Sequence, residues 1–459
     1  TTEEINEIFN PITYSKSSSL LRMIESAITP ELFQKNIRRY MAHFQYGNAI
    51  ADDLFRFLSD GTEYDLTDIM MNHWIRKPGY PILKFDGTEI TQQRFSLEMD
   101  PKLSNWHILL PMIFVTEKNP TGQTTNSVEI VNMKNSKMNI NEILRKNPND
   151  LHLPSEVFLN NQGNCFCRVQ YIQTDILKRL SSMSSINRLV FANDQWAFVK
   201  SNHISIDQYL EFCSSLRNET NPDILNSLLG SLLYLQRVLY PNNTAIVNMI
   251  KSLLRDRLNF SFTEEADSDV LRLRVIYALA AISVDQTLKI PKNCNPNYRE
   301  CYLTQVYLRT KKVNPLIRQY LDSSTSHADR EIICRVMART RDLSTYKRVI
   351  NFFFSKKIIN QDLSNLNAHL SQNTQFNSHY FEHFVVRFKK SFSRNKAQYT
   401  MQSIIEDIMS FQPKPEEFAT ALKNANINEY NRFIPSLNKG REKAEEKKSL
   451  RENYKTAAM

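Results

Sequence analysis

The feature that most constrains this chain is a double change in the period of its apolar residues. Up to Trp74 the spacing is helical: Leu20, Leu21, Ile24, Ala27 and Ile28, then Phe33, Ile37, Tyr40, Met41 and Phe44. Each set lies on one face of a 3.6-residue turn. Thr29-Pro30-Glu31 offers a side-chain cap, a first-turn proline and an acid at the positive helix end. Asp52 to Leu58 and Leu66 to Trp74 read as two shorter helices. Lys77-Pro78-Gly79-Tyr80-Pro81 then stops the helical pattern, because proline donates no backbone N–H and fixes φ.

Alternation follows. Leu83 and Phe85 stand against Lys84 and Asp86, and Phe95 and Leu97 against Arg94, Ser96 and Glu98. Trp106 to Val115 is a longer apolar run around Pro111, and Ser127 to Met133, Val157 to Leu159 and Cys165 to Tyr171 complete the series. Short strands with turns about every 8–12 residues predict a small β-sandwich. Beyond about residue 173 the helical period returns, as in Leu225, Leu228, Leu229, Leu232 and Leu235, or Val270, Leu273, Val275, Ala278, Leu279 and Ile282. Many short helices without a firm repeat predict an α-solenoid of the HEAT/armadillo kind, whose concave face suits an extended ligand. The expected fold is mostly α with a small β-sandwich, divided at 1–76, 77–172 and 173–459.

Glycine use removes several functions. The chain has 8 Gly in 459 residues and neither G-x-G-x-x-G nor G-x-x-x-x-G-K-[ST], so the usual dinucleotide and P-loop cradles are excluded. The net charge is +10, but the bases are dispersed, and no nucleic-acid partner is expected. The stretch Lys439 to Lys455, interleaved with Glu442, Glu445, Glu446 and Glu452, reads as a solvated helix with i,i+4 pairs. No apolar run reaches the roughly 18–20 residues of a membrane span. The chain opens on Thr1 and is read as a fragment or processed chain, with any membrane anchor expected only upstream.

Six cysteines are too few for a disulfide framework at this length. Cys294 and Cys301 bracket a loop and are candidates to pair, and Cys165 and Cys167 share a face if their segment is a strand. Sequons at Asn218, Asn242 and Asn259 are no more than chance supplies. The expected location is a plasma-membrane ectodomain or the secretory pathway rather than the cytoplasm.

One stretch has metal-ligand order. His379-Tyr380-Phe381-Glu382-His383 is an H-x-x-E-H pattern, which on a helix puts two imidazoles on one face and a carboxylate beside them. The competing reading is a packed helix with Phe381, Phe384, Val385 and Phe388 as its apolar stripe. No G-x-S-x-G elbow or catalytic-cysteine setting exists, and His43, His73, His107 and His203 are scattered.

The first eighty residues carry a specific likeness. The stretch from Glu4-Ile5 through Phe9, Ile12, Thr13, Tyr14 and Lys16 resembles the E-I-x-x-x-F-D-x-I-S-Y-x-K-G-A of the gluzincin aminopeptidases, the family of the alanyl, glutamyl, puromycin-sensitive and endoplasmic-reticulum enzymes. Leu20-Leu21-Arg22-Met23 resembles its V-L-R-M-L. Tyr40 to Ala49 resembles Y-L-x-x-H-x-Y-x-N-A, and Asp53-Leu54-Phe55 its D-L-W. Met70 to Pro81 resembles M-x-x-W-x-x-Q-x-G-Y-P. Farther on, Leu159 to Tyr171 is similar to L-N-x-x-x-x-G-Y-Y-R-V-N-Y, and Asn187-Arg188, Asn193-Asp194 and Leu216 to Glu219 match the start of the family's helical domain.

The resemblance implies that 1–76 are the last helices of a thermolysin-like catalytic domain, followed by the sandwich and the helical domain. It implies peptide substrates, with the helical part walling the peptide chamber. Tyr14 takes the position of the tyrosine that donates its phenol to the oxyanion of the tetrahedral intermediate, opposite zinc, a suitable donor because an ordinary phenol titrates near pH ~10. The family's zinc ligands and amine-binding G-x-M-E-N motif lie upstream of Thr1, so this segment is expected to bind no cofactor, to need a missing N-terminal catalytic half, and to be inactive alone. Lys16-Ser17-Ser18 replaces K-G-A, Lys77 replaces the Gln before G-Y-P, and Cys165-Phe166-Cys167 replaces G-Y-Y. These departures support an alternative, a non-catalytic peptide-binding or scaffolding paralogue.

Overall fold

The computed structural model describes residues 12–96, 105–115, 126–144, 156–172, 174–284, 288–355, 357–391, 398–412, 414–424 and 433–457. The motif residues from Glu4 to Phe9 and the alternation at Leu97 and Glu98 lie outside them. The chain forms two compact units, Thr1–Ala197 and Phe198–Met459.

In the first unit a single π turn, Ile12–Lys16, runs into α1 (Ser17–Ile28). Then come α2 (Pro30–His43), α3 (Ala51–Ser59) and α4 (Leu66–Met70), the last continued by a π turn, Met71–Ile75. The expected cap holds: Thr29 Oγ1 accepts the Leu32 N–H at 3.5 Å, with Pro30 in the first turn. The strands are β1 (Pro81–Phe85), β2 (Glu89–Arg94), β3 (Ile108–Val115), β4 (Asn126–Met133), β5 (Lys137–Asn139), β6 (Glu156–Leu159) and β7 (Arg168–Tyr171), with a short helix α5 (Ile140–Leu144) between β5 and β6. They make two sheets, β5-β2-β1-β7 and β4-β3-β6, in which only the β1–β7 pair is parallel.

Pro111 is tolerated inside β3 because β6 pairs only from Met112 onward, leaving one side of Pro111 without a ladder bond to lose. Helices and both sheets share one apolar core, from Leu20, Leu58 and Trp74 to Leu83, Ile108, Met112 and Val169. The Trp74 indole donates to the His107 carbonyl at 2.8 Å, and the buried amide of Gln92 joins the Trp106 backbone through both its donor and its acceptor.

Three local expectations shift. The second strand is Glu89–Arg94 and leaves out Phe95 and Ser96, because the Asp86-Gly87-Thr88 turn sets the register by pairing Phe85 with Ile90. Cys165 to Cys167 is a bend rather than a strand, and β5 with α5 is too short to leave a periodic signal.

The helix α6 (Ser185–Lys200) contains the boundary between the units. The second unit holds α7 (Ile206–Ser215), α8 (Pro222–Val238), α9 (Thr244–Leu254), α10 (Ser268–Val284), α11 (Arg299–Thr310), α12 (Asn314–Leu321), α13 (His327–Ala338), α14 (Leu343–Phe353), α15 (Asn360–Ser371), α16 (Asn377–Ser391), α17 (Gln398–Ser410), α18 (Pro415–Asn424) and α19 (Ile434–Ala457). Capping residues mark the starts: Asn221 accepts from Asp223 and Ile224 N–H, and Ser205 with Gln208 forms a reciprocal box. The packing order is regular: α11 packs on α13, α13 on α15, α15 on α17 and α17 on α19, while α14 packs on α16 and α16 on α18. The last helix, α19, also meets α7 and α8.

That last contact corrects the reading of the Lys439–Lys455 stretch as a solvated helix. Leu437, Ala444, Lys447 and Leu450 of α19 are buried. Gly440 permits the approach, since a Cβ there would meet Met409 Cβ at 2.5 Å and the Glu406 carbonyl at 2.8 Å. In α10 the stripe is also displaced: Val270 is exposed and Leu271 takes the core position.

Candidate functional site

Tyr14 stands in the π turn before α1, and its side chain is 57% exposed. The turn is pinned from both ends. Ser18 and Ser19 hydroxyls donate to the Ser15 carbonyl at 3.1 and 2.7 Å. Lys16 Nζ donates to the Lys77 carbonyl at 3.1 Å. Lys77 in turn lays its ammonium over the Trp106 ring at 4.4 Å and donates to the Asn105 carbonyl. Burial lowers the pKa of both lysines. Lys77, a departure from the resembling family, therefore acts as a structural pin beneath the turn that presents Tyr14.

The second unit contains a cluster of arginines around one histidine that no sequence motif announced. Arg237 in the last turn of α8, Arg335 in α13 and Arg339 just after it all act on the imidazole of His369 in α15. Burial, then the charges of Arg339, Arg335 and Arg237, push His369 down to about 3, so it is neutral at pH 7. Two of the three guanidiniums are answered by one carboxylate: Glu300 bonds Arg335 Nε at 2.9 Å and Arg339 Nη2 at 2.7 Å. Arg339 also donates to Thr304 Oγ1 at 3.2 Å.

Arg237 makes no side-chain hydrogen bond or ion pair with the described residues; its backbone carbonyl accepts from Thr374 Oγ1 at 2.9 Å. Solvent reaches its side chain, yet burial lowers its pKa, with the Arg339 charge adding to the effect. Nearby cations have ordinary explanations: Arg341 donates to the Ser283 carbonyl at 2.6 Å and Arg451 to the Val238 carbonyl at 2.8 Å, both at helix C-termini. Arg237 instead carries a charge with no ion-pair partner among the described residues, matched to a carboxylate or other oxyanion.

The H-x-x-E-H stretch does not assemble a metal site. His383 Nδ1 bonds the His379 carbonyl at 2.9 Å, Glu382 is exposed, and Tyr380, Phe381 and Phe384 bury the helix. Among the described residues no group of three or more His, Cys, Asp or Glu is placed to hold a metal ion. The donor set for zinc is thus not found among them. All six cysteines are free thiols, so Cys294 and Cys301 do not pair. No described helix is long and apolar enough to cross a membrane.

Comparison with known proteins bears on both sites. Residues 157–434 match the model of the ERAP1-like C-terminal domain. Residues 1–74 match the Peptidase family M1 domain. The chain is 27% identical over 349 residues to Tricorn protease-interacting factor F2 of Thermoplasma volcanium, covering 73% of this chain and 41% of that protein. It is 25% identical over 381 residues to Probable aminopeptidase 1 of Sulfurisphaera tokodaii, covering 81% and 45%. It is 26% identical over 298 residues to Glutamyl aminopeptidase of Bitis rhinoceros, covering 60% and 30%. The matches span less than half the length of these relatives.

Proposed function

This chain belongs to the ERAP1-like C-terminal domain family and corresponds to the C-terminal portion of an M1 aminopeptidase, and from that premise we propose how it serves peptide hydrolysis. Its substrate is a peptide trimmed from the N-terminus. Tyr14 donates its phenol to the oxyanion as the scissile carbonyl becomes tetrahedral. The second unit, a HEAT/armadillo-like solenoid in this reading, walls the peptide chamber, and Arg237 with Arg339 receives the carboxylate end. The proposed parts are thermolysin-like helices at 1–76, a β-sandwich at 77–172 and the solenoid at 173–459. Zinc is held by upstream residues of the whole enzyme, so this chain alone is inactive. A secretory or plasma-membrane location belongs to the same proposal.

The observation that carries the chamber role is the Arg237 guanidinium, without an ion-pair partner among the described residues and within reach of the Arg339 charge. It is tested by fluorescence anisotropy with two otherwise identical peptides, one ending in a free acid and one in an amide. The acid form should bind more tightly, and Arg237→Gln should erase the difference. Equal binding of both forms to the unmodified chain removes this role.

A second reading, a non-catalytic peptide-binding paralogue, is favoured by Ser17 and Ser18 standing where the resembling family has Gly and Ala. It keeps the peptide contact at Arg237 and dispenses with Tyr14, and it predicts binding without turnover in the whole protein.

A further inference from the structure

The loop between β6 and β7 holds two cysteines that the proposed function does not use. Cys165 and Cys167 are both buried. Asn160, in a left-handed conformation, clamps the first of them: Cys165 N–H donates to Asn160 Oδ1 at 2.8 Å, and Asn160 Nδ2 donates to the Cys165 carbonyl at 3.1 Å. Cys167 N–H donates to that same carbonyl at 2.9 Å. This bond closes a three-residue turn. Residues two apart around such a turn keep their Cα atoms near the roughly 4.4–6.8 Å a disulfide spans. Gly163 secures the loop from the other side, with φ +67° and room for no more than a hydrogen beside Val190.

The other thiols are placed differently. Cys213 and Cys334 are buried away from any cysteine partner, and Cys301 directs its thiol to the Val275 carbonyl at 3.7 Å rather than toward Cys294.

We infer that Cys165 and Cys167 form a reversible dithiol–disulfide couple, closed by a small-molecule disulfide of the oxidised-glutathione class. One thiolate of the pair attacks a sulfur of the small disulfide and expels one thiol. The second protein thiolate then attacks the mixed disulfide and expels the other. Two protein S–H bonds and one small-molecule S–S bond are exchanged for one protein S–S bond and two small-molecule thiols, with both protons ending on the released thiols. The neighbouring Cys165 thiol, together with burial, raises the Cys167 thiol pKa well above its ordinary value, so thiolate is scarce and closure is slow. The residue between them, Phe166, packs on Tyr80 at 4.8 Å and Trp74 at 6.2 Å between ring centroids, so closure perturbs the Trp74 environment.

The test uses the native chain. It is incubated with oxidised glutathione, then denatured, alkylated and digested with trypsin. The peptide ending at Arg168 should appear unalkylated and two hydrogens lighter than its dithiol form. The closed fraction should exceed oxidation of Cys213 or Cys334 by about tenfold or more, and dithiothreitol should restore both alkylation and the starting tryptophan fluorescence. Full alkylation of Cys165 and Cys167, or a stable glutathione adduct on either, overturns the inference.

Discussion

Arg237, Arg339 and His369 form a coupled set, and its titration can be predicted in sign. His369 is neutral in the folded chain down to about pH 3, whereas an imidazole in the unfolded chain titrates near ~6.5. Between these values the unfolded state binds the extra proton, so this residue lowers stability as pH falls, by at most about 1.4 kcal/mol per pH unit. His369→Gln should flatten the dependence of the urea midpoint between pH 6 and 4; an unchanged slope would mean the imidazole is not held neutral. Arg237→Gln should let His369 protonate at higher pH, visible in its NMR titration, and should weaken a free-acid peptide about tenfold, or 1.4 kcal/mol, while leaving its amide unchanged. Neither arginine stood out in the sequence. They lie about a hundred positions apart at ends of different helices, and a convergence of helix termini leaves no local pattern to read. Tyr14 stood out for the opposite reason, because its neighbours on both sides resemble one continuous motif, and its role is a proposal.

At the scale of elements, α19 shows how a charged surface pattern conceals a packed face. Its buried positions include Gly440, Ala444 and the stem of Lys447, none of which registers as apolar when only large side chains are counted. Lys447 is nevertheless buried, with its ammonium 4.3 Å from the centre of the Phe411 ring and donating to the Lys443 carbonyl at 3.1 Å. Burial pushes it down to about 8. Its folded pKa lies below the unfolded value near ~10.4, so its contribution to stability is full above that value and is lost as pH falls through about 8. Lys447→Met, which keeps the stem and removes the charge, should be neutral or stabilising near pH 7; a loss of more than about 2 kcal/mol in urea unfolding would show that the cation is needed. Gly440→Ala should cost about 1–3 kcal/mol, because the added methyl meets Met409 Cβ and the Glu406 carbonyl and the two helices must part. An unchanged midpoint would mean that the contact between α17 and α19 gives way freely.

For the molecule as a whole, the helix–strand–helix order was readable because two periods, helical then alternating then helical again, are written in large apolar side chains. The strand boundaries were less so: β2 is fixed by a turn and by pairing across the sheet, neither of which is a property of its own residues. The chemistry divides in the same way. Peptide recognition and the oxyanion donor are assigned here to described residues, and the metal to residues upstream. The most direct test takes the whole protein, this chain together with the M1 segment that precedes it in its relatives. Release of an amino acid from aminoacyl amides is then compared between the wild type and Tyr14→Phe. The side chain is exposed, so the melting temperature should not move. The account predicts a kcat lower by about 10²–10³, with KM shifted less than about threefold. A Tyr14→Phe enzyme with wild-type kcat, or a whole protein that binds peptides and cleaves none, would contradict it.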